Sequence, residues 1–334
     1  MKCIDKIYSI IILAVLSMTL GGCGKLAYEV PYSVDSGYLS SRYGIQEGGA
    51  KAEPFAAKVC VQTEDILTDS IDDSSFGTAG LFDLKNREVI YAKSLHDKMY
   101  PASLTKVMTA IIALENGSLD MVLTTTEAVK ITEAGAAKAG LKQGDTMTLD
   151  QAMHILLLAS SNDVALLIAD NIGAKLEGVS GDTNVEKFLN MMNKRAAQLG
   201  ATNTHFSNPH GLTDPEHYTT AYDMYLIFNK AIQYETFNQI INMTTYQTTY
   251  YDKNGKEIPY SCGTTNKYLK DQASAPENVT VLGGKTGTTN AAGHCLILHA
   301  KDIRGNSYIS IVMRCLNNDM LYAEMSDLLA EINK

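Results

Sequence analysis

From Tyr100 to Gly117 the chain reads YPASLTKVMTAIIALENG, a helical pattern with little surface fit for water. Val107, Met108, Ala110, Ile111, Ile112, Ala113 and Leu114 cover most of its circumference, and Gly117 supplies the stop. Such a helix must be buried among other elements. Lys106 stands at its head, three residues after Ser103. Burying a lysine costs several kcal/mol unless it is paired or neutral. The conflict between an apolar helix and the lysine inside it marks Lys106 as a functional candidate.

The 334 residues give room for one large domain or two modest ones, and 45% apolar with 19% charged residues is an ordinary globular composition. A net charge of -9 argues against nucleic acid or anionic lipid head groups as partners. Lys2 and Lys6 precede an apolar run from Ile7 to Leu20, short enough for a signal-peptide core rather than a membrane span. It ends in Leu20-Gly21-Gly22-Cys23, which resembles a bacterial lipobox with Cys23 as the lipidated residue, the alternative being an export signal cut at another small residue. The expected division is a signal peptide over 1–22, a polar tether over 23–73 and a catalytic domain over 74–334. Export and a lipid anchor would place that domain on the extracytoplasmic face of the membrane. Of six cysteines, Cys60, Cys262, Cys295 and Cys315 remain after Cys3 and Cys23 are set aside. Cys295 and Cys315 lie in apolar strand patterns, and a Cys60–Cys262 bridge is open in an exported chain.

Thr78–Asp83 and Glu88–Tyr91 read as a hairpin around Lys85-Asn86. A mostly helical block follows from about Ala128 to Ile241, with capping boxes at Thr148-x-x-Gln151 and Thr183-x-x-Glu186. Thr244–Tyr251, Val279–Leu282, His294–Lys301 and Tyr308–Cys315 read as strands, and Met320–Ile332 as a closing helix. Strands at both ends with helices between them predict an α/β fold. It has one antiparallel sheet flanked by helices and an inserted all-α lobe.

Three short motifs stand in order: Ser103-Leu104-Thr105-Lys106, Ser160-Ser161-Asn162 and Lys285-Thr286-Gly287. Each alone is common. Together, at element boundaries, they form the set of β-lactamases and penicillin-binding proteins, with Ser161 where that set has aspartate. A serine hydroxyl needs an adjacent base, and on a helix Lys106 lies one turn beyond Ser103 on the same face. An ordinary lysine of pKa ~10.4 needs about 4–5 kcal/mol to be neutral at pH 7. Burial, the helix N-terminus and a second cation, Lys285, all push that way. Ser160 can relay a proton to a leaving amine, and Asn162 can hold Lys106 and an amide. Ser160–Asn162 would equally suit a turn with a helix cap. Gly283 and Gly284 let a peptide lie along the strand edge, where the Lys285 ammonium and Thr286 hydroxyl suit a carboxylate. The N–H groups of Ser103 and Thr288 are the oxyanion donors this reading predicts. A phosphate loop is the rival for Gly-Gly-Lys-Thr, but G-x-x-x-x-G-K-[ST] is missing.

With NTHFSNPHGLTDPEHYTTAYDM over 203–224 and GGKTGTTNAAGHCL over 283–296, the chain resembles the low-molecular-mass penicillin-binding proteins. These are the serine-type D-Ala-D-Ala carboxypeptidases of peptidase family S11. The resemblance covers about Thr78 to Leu329. It implies a β-lactamase-like fold, removal of the terminal D-alanine from peptidoglycan pentapeptide stems, and covalent inhibition by β-lactams, with no cofactor. It makes Ser103 the nucleophile, Lys106 its base, Ser160 and Asn162 the second motif, and Lys285 with Thr286, Gly287 and Thr288 the substrate-binding strand. Family members often carry a further β-rich domain and a C-terminal anchor; with 49 residues after Lys285 (334 − 285) neither is expected, and lipid on Cys23 would replace the anchor. Many also carry an arginine at the start of the last helix, where this chain has Asp319-Met320-Leu321-Tyr322.

Glu186-Lys187-Phe188-Leu189-Asn190 spells the E-x-x-L-N of class A β-lactamases, which would make a drug-hydrolysing enzyme. Its helical spacing and the capping box give Glu186 a structural role instead. His205, His210, Asp214 and His217 lack the spacing of a metal site, so no metal is expected. A binding module without turnover is the remaining alternative. Replacing Cys23 by Ala is expected to move the protein from the membrane to the soluble fraction, or to leave it held by an uncleaved signal. A processed, membrane-bound Cys23→Ala variant would remove the lipid anchor.

Overall fold

The computed structural model describes residues 58–334. The signal peptide, Cys23 and the first part of the tether lie outside the described residues. The hairpin predicted at the start forms as β1 (Thr78–Asp83) and β2 (Glu88–Lys93), paired antiparallel. It joins β7 (Val279–Thr289), β8 (Gly293–Asp302) and β9 (Ser307–Cys315) in an antiparallel sheet of order β2-β1-β9-β8-β7. Side chains alternate across this sheet. Cys295, Ile297, Ile309 and Ile311 enter one core with the helical lobe. Leu296, Leu298, Ala300 and Val312 enter a second with Leu321, Met325 and Leu328 of the closing helix.

The apolar helix found first in the sequence is α1 (Lys106–Asn116), and every residue from Lys106 to Ala113 is buried. It packs among α2 (Leu149–Leu158), α3 (Asn162–Gly173), α4 (Asn184–Gln198) and α5 (Ala221–Ala231). Both predicted capping boxes are present, Thr148 with Gln151 and Thr183 with Glu186. The short α6 (Glu235–Ile241) and the closing α7 (Asn318–Ala330) complete the helices longer than one turn among the described residues.

Two expectations change. The chain forms a second antiparallel sheet from β3 (Val122–Thr124), β4 (Thr146–Thr148), β5 (Thr245–Tyr251) and β6 (Glu257–Gly263). The stretch from Thr244 belongs there, and 128–148, expected to be helical, is loop and strand. Three-residue strands show no periodicity, and β6 carries Pro259, tolerated because β6 is an edge. The tether also ends well before residue 73. Cys60 is 1% exposed, donating its N–H to Tyr225 Oη at 2.8 Å and accepting from Tyr222 Oη at 2.8 Å. Ile66 bridges to Ala92 of β2, and Ile71 enters the second core. Cys60 and Cys262 are free thiols, so no bridge joins them.

Because residues 60–71 pack against the domain, a chain starting at residue 74 is expected to be less stable than one starting at 58. The lost burial of Cys60, Ile66 and Ile71 corresponds to about 3 kcal/mol, or roughly 5–10 °C in the unfolding midpoint. Equal midpoints by circular dichroism would show that the segment contributes nothing.

Candidate active site

Ser103 lies on a single 3-10 turn, Ala102–Thr105, and α1 begins at Lys106. Sequence spacing predicted one continuous helix; the tighter turn still brings Lys106 Nζ to 3.0 Å from Ser103 Oγ. Ala102 enters the turn with φ +47, a left-handed conformation unfavourable for a residue with a Cβ. A relay holds it there. Ser207 donates its N–H to His217 Nδ1 at 3.0 Å, which leaves the proton on Nε2. That nitrogen is 2.7 Å from Thr105 Oγ1, and Thr105 donates in turn to the Ala102 carbonyl at 2.8 Å. Burial lowers His217 to about 4, so the neutral ring this pattern needs is its ordinary state. Gly211, at φ +92, closes over the same carbonyl: a Cβ there would stand 1.8 Å from Ala102 O. Gly287 of β7 presses on the other side, where a Cβ would lie 3.0 Å from Ser103 N.

Lys106 is wholly buried, and its Nζ also meets Asn162 Oδ1 at 2.6 Å and the His210 carbonyl at 2.6 Å. Burial drives its pKa well below the lysine value, and the Lys285 ammonium pushes it further down, opposed by Asp163. A neutral amine has two N–H groups and one lone pair. In that form the two carbonyl oxygens would take the N–H groups and leave the lone pair facing Ser103.

Ser160 adopts φ +58 just before α3, and Ser161 at the helix N-cap makes no side-chain capping bond. The simple cap considered from the sequence is therefore absent. Lys285 Nζ instead donates to Ser160 Oγ at 3.0 Å and to the Thr286 carbonyl at 2.9 Å. Lys285 is 1% exposed, and burial lowers its pKa to about 7. Neither buried lysine has a carboxylate at ion-pair distance among the described residues. The motif expected to follow a strand lies within it, because β7 runs on to Thr289 and forms the free edge of the five-stranded sheet.

A cleft of about 890 Å³ brings Ser103, Ser160, Asn162, Thr286, Gly287 and Thr288 together. Thr286 and Thr265 share a 2.5 Å hydroxyl contact on its rim, and Asn318 lines it from the start of α7. There Asp319 pairs with Lys267 at 2.9 Å, at the position where an arginine was sought.

Three features were not picked out from the sequence. Asp163 is buried beside Asn162, and its oxygens accept from the N–H groups of Ala139 at 2.9 Å, Gly140 at 2.8 Å and Leu141 at 3.2 Å. Asn162 N–H donates to Ala137 O at 2.8 Å, so the start of α3 anchors the loop whose residues 133–137 wall the cleft. His217 and Gly211 are the others. The signal for Asp163 was its place directly after Asn162; for His217 nothing local marks it, since its partner lies 112 residues away.

Glu186 is absent from the cleft and closes the capping box, accepting from Thr183 N–H at 2.7 Å. Among the described residues no three His, Cys, Asp or Glu side chains converge as a metal site. His205 turns to the Glu216 carbonyl, and His210 Nδ1 accepts from Leu212 N–H.

The sequence profile of the family described as D-alanyl-D-alanine carboxypeptidase, Peptidase S11, matches residues 67–317. D-alanyl-D-alanine carboxypeptidase DacF of Bacillus subtilis is 32% identical over 238 residues, which cover 69% of this chain and 54% of that protein. The chain thus spans about half the length of that relative. DacB2 of Mycobacterium tuberculosis is 33% identical over 224 residues, 66% of this chain and 69% of that one. The crystal structure of the Streptomyces K15 DD-transpeptidase superposes with a TM-score of 0.70 at 24% identity, over 79% of this chain and 98% of that one, a likeness of fold.

Asp163→Asn exchanges an acceptor oxygen for a donor and leaves loop N–H groups unpaired. The expected result is at least tenfold faster amide exchange at Ala139, Gly140 and Leu141, with a loss of about 2–3 kcal/mol in stability. Unchanged exchange at these amides would show that the carboxylate does not hold the loop.

Proposed function

The chain belongs to the S11 peptidases, the D-alanyl-D-alanine carboxypeptidase family, and from that premise we propose that it removes the terminal D-alanine of peptidoglycan stem pentapeptides through an acyl-enzyme on Ser103. β-Lactams are its covalent inhibitors. The observation that carries this reading is the 3.0 Å contact between Ser103 Oγ and the buried Lys106 Nζ, which also meets the Asn162 and His210 carbonyl oxygens.

Ser103 Oγ attacks the carbonyl of the penultimate D-alanine while its proton passes to Lys106 Nζ. The developing oxyanion sits between the N–H groups of Ser103 and Thr288. Asn162, with Oδ1 committed to Lys106, has its amide N–H groups for the substrate. The terminal carboxylate meets Lys285 through the Thr286 and Thr265 hydroxyls at the rim. As the C–N bond breaks, the proton that Lys106 took from Ser103 passes through Ser160, oriented by the Lys285 ammonium, to the leaving amine. This leaves Lys106 neutral and Lys285 cationic as before. Water then attacks the ester, its proton passing through Lys106 to Ser103 Oγ as the ester C–O bond breaks. Glu186, on the surface of α4 and outside the cleft, gives no support to a class A β-lactamase mechanism. Lipid on Cys23 would hold the domain at the extracytoplasmic face of the membrane, where this substrate lies.

The pH dependence follows from the two lysines. Lys106 must be neutral, so acylation rises with pH through its depressed pKa. Lys285 must be cationic, so acylation falls as pH rises through a value of about 7 in the empty site. A bell-shaped kcat/KM is expected, with its ascending limb far below the ordinary lysine value. Lys106→Arg keeps charge and much of the packing but cannot deprotonate. Penicillin acylation of that variant should drop by roughly 10³-fold or more, and Ser103→Ala should show none. Substantial acylation of Lys106→Arg would remove Lys106 as the base, and labelling of Ser103→Ala would place the nucleophile elsewhere.

A further inference from the structure

A second cleft of about 340 Å³ lies at the end of the five-stranded sheet, and Ala291, in the turn between β7 and β8, lines both it and the catalytic cleft. Its apolar wall includes Met99, Tyr100 and Tyr218, and its two charged lining residues are Lys98 and Arg314. Lys98 Nζ stands 3.9 Å from the centroid of the Tyr218 ring. Arg314, near the end of β9, holds φ +57, and its guanidinium has no hydrogen-bond or ion-pair partner among the described residues. Strained backbone at a residue with a Cβ persists where the surroundings over-determine it. Asp97, Asp214 and Glu216 flank the cleft in sequence, and none pairs with Lys98 or Arg314. Lys98 and Arg314 are both exposed, and in a chain of net charge -9 they bring two unneutralised cations to one surface cleft of mixed polar and apolar lining.

Its position relative to the nucleophile gives it an occupant. Gly287 abuts Ser103 N, so a reacting carbonyl stands opposite Gly287 and Thr288 on the free edge of β7. The terminal carboxylate lies toward Lys285 and Thr286. The rest of the peptide must then run the other way, antiparallel to β7, past Thr289 and Asn290. At roughly 3.4 Å per residue, the second and third residues before the cut reach Ala291.

We propose that the cleft of Lys98 and Arg314 is a subsite for a carboxylate carried by the stem peptide upstream of its D-alanines. The inference rests on the carboxypeptidase reading. Two sources supply that chemistry: a carboxylate at the end of the third stem residue's side chain, or the free α-carboxylate of an acidic second residue. Lys98 and Arg314 pair with it, while Met99, Tyr100 and Tyr218 cover the aliphatic stem of the branch. The subsite makes the enzyme selective among stems rather than faster on all of them.

The test uses four stem pentapeptides with a carboxylate at the third residue, at the second, at both, or at neither, amides replacing the missing acids. Binding is measured by calorimetry on Ser103→Ala, and kcat/KM on the native chain. At least one acidic peptide should bind and react about fivefold better than the fully amidated one, and which one identifies the source. Lys98→Gln with Arg314→Gln should erase the ratio between acidic and amidated peptides, Lys98→Glu should invert it, and Lys98→Arg should keep it. Unfolding midpoints of the variants check that the fold is intact. Equal binding of acidic and amidated peptides, absence of binding by any of them, or a preference that survives the double variant overturns the subsite. Failure of penicillin to label the native chain would overturn the carboxypeptidase reading instead, and the calorimetry still decides the subsite.

Discussion

Two lysines buried in one site, with no carboxylate at ion-pair distance among the described residues, set the terms for the rest of this structure. Lys106 is 0% exposed and Lys285 1% exposed, and each meets only hydroxyl and carbonyl oxygens. Two ammonium groups held together away from water repel, and each loses its hydration. The pair responds by titrating. Lys106 gives up its proton more readily because Lys285 is beside it. In the proposed reaction, burying the pair is what would make a neutral amine available to take the serine proton.

Keeping that arrangement requires rigidity, and the scaffold provides it from four directions. The Ala102 carbonyl is pinned by the His217 and Thr105 relay and capped by Gly211. Ser103 is bounded by Gly287 on the sheet edge, which admits no side chain. Asp163 ties the cleft wall to the first turn of α3, the same turn that presents Asn162. Asp163 also has an electrostatic role: as the carboxylate that raises Lys106, it limits how far the amine is depressed. A group that positions a loop thus also raises the pKa of the candidate base, against the lowering by burial and Lys285.

The site stands where the helical lobe meets the open edge of β7. An extended peptide added to that edge would bring its carbonyl to Ser103, on the turn that precedes α1. The same geometry gives the cleft direction. One end holds Lys285 and Thr286, and the other opens at Ala291 onto Lys98 and Arg314.

Much of this was legible in the sequence, and the division has a physical basis. The buried helix, the β1–β2 hairpin, both capping boxes and the three motifs are written in contacts between residues a few positions apart, where periodicity and side-chain chemistry speak directly. Lys106 declared itself because its charge contradicted its own neighbours. The second sheet did not, since three-residue strands and a proline-bearing edge carry no pattern until they pair. Residues 60–71 read as tether because their anchors, Tyr222, Tyr225 and Ala92, lie far along the chain. From the sequence alone His217 reads only as a candidate metal ligand, and its contact with Thr105, 112 residues away, is what makes it a support of the Ser103 turn. The sequence by itself determined which groups are candidates for the chemistry, because reactivity belongs to residue types. The tertiary structure decided how they are held and which clefts lie beside them, because distance and direction exist only once remote segments have packed.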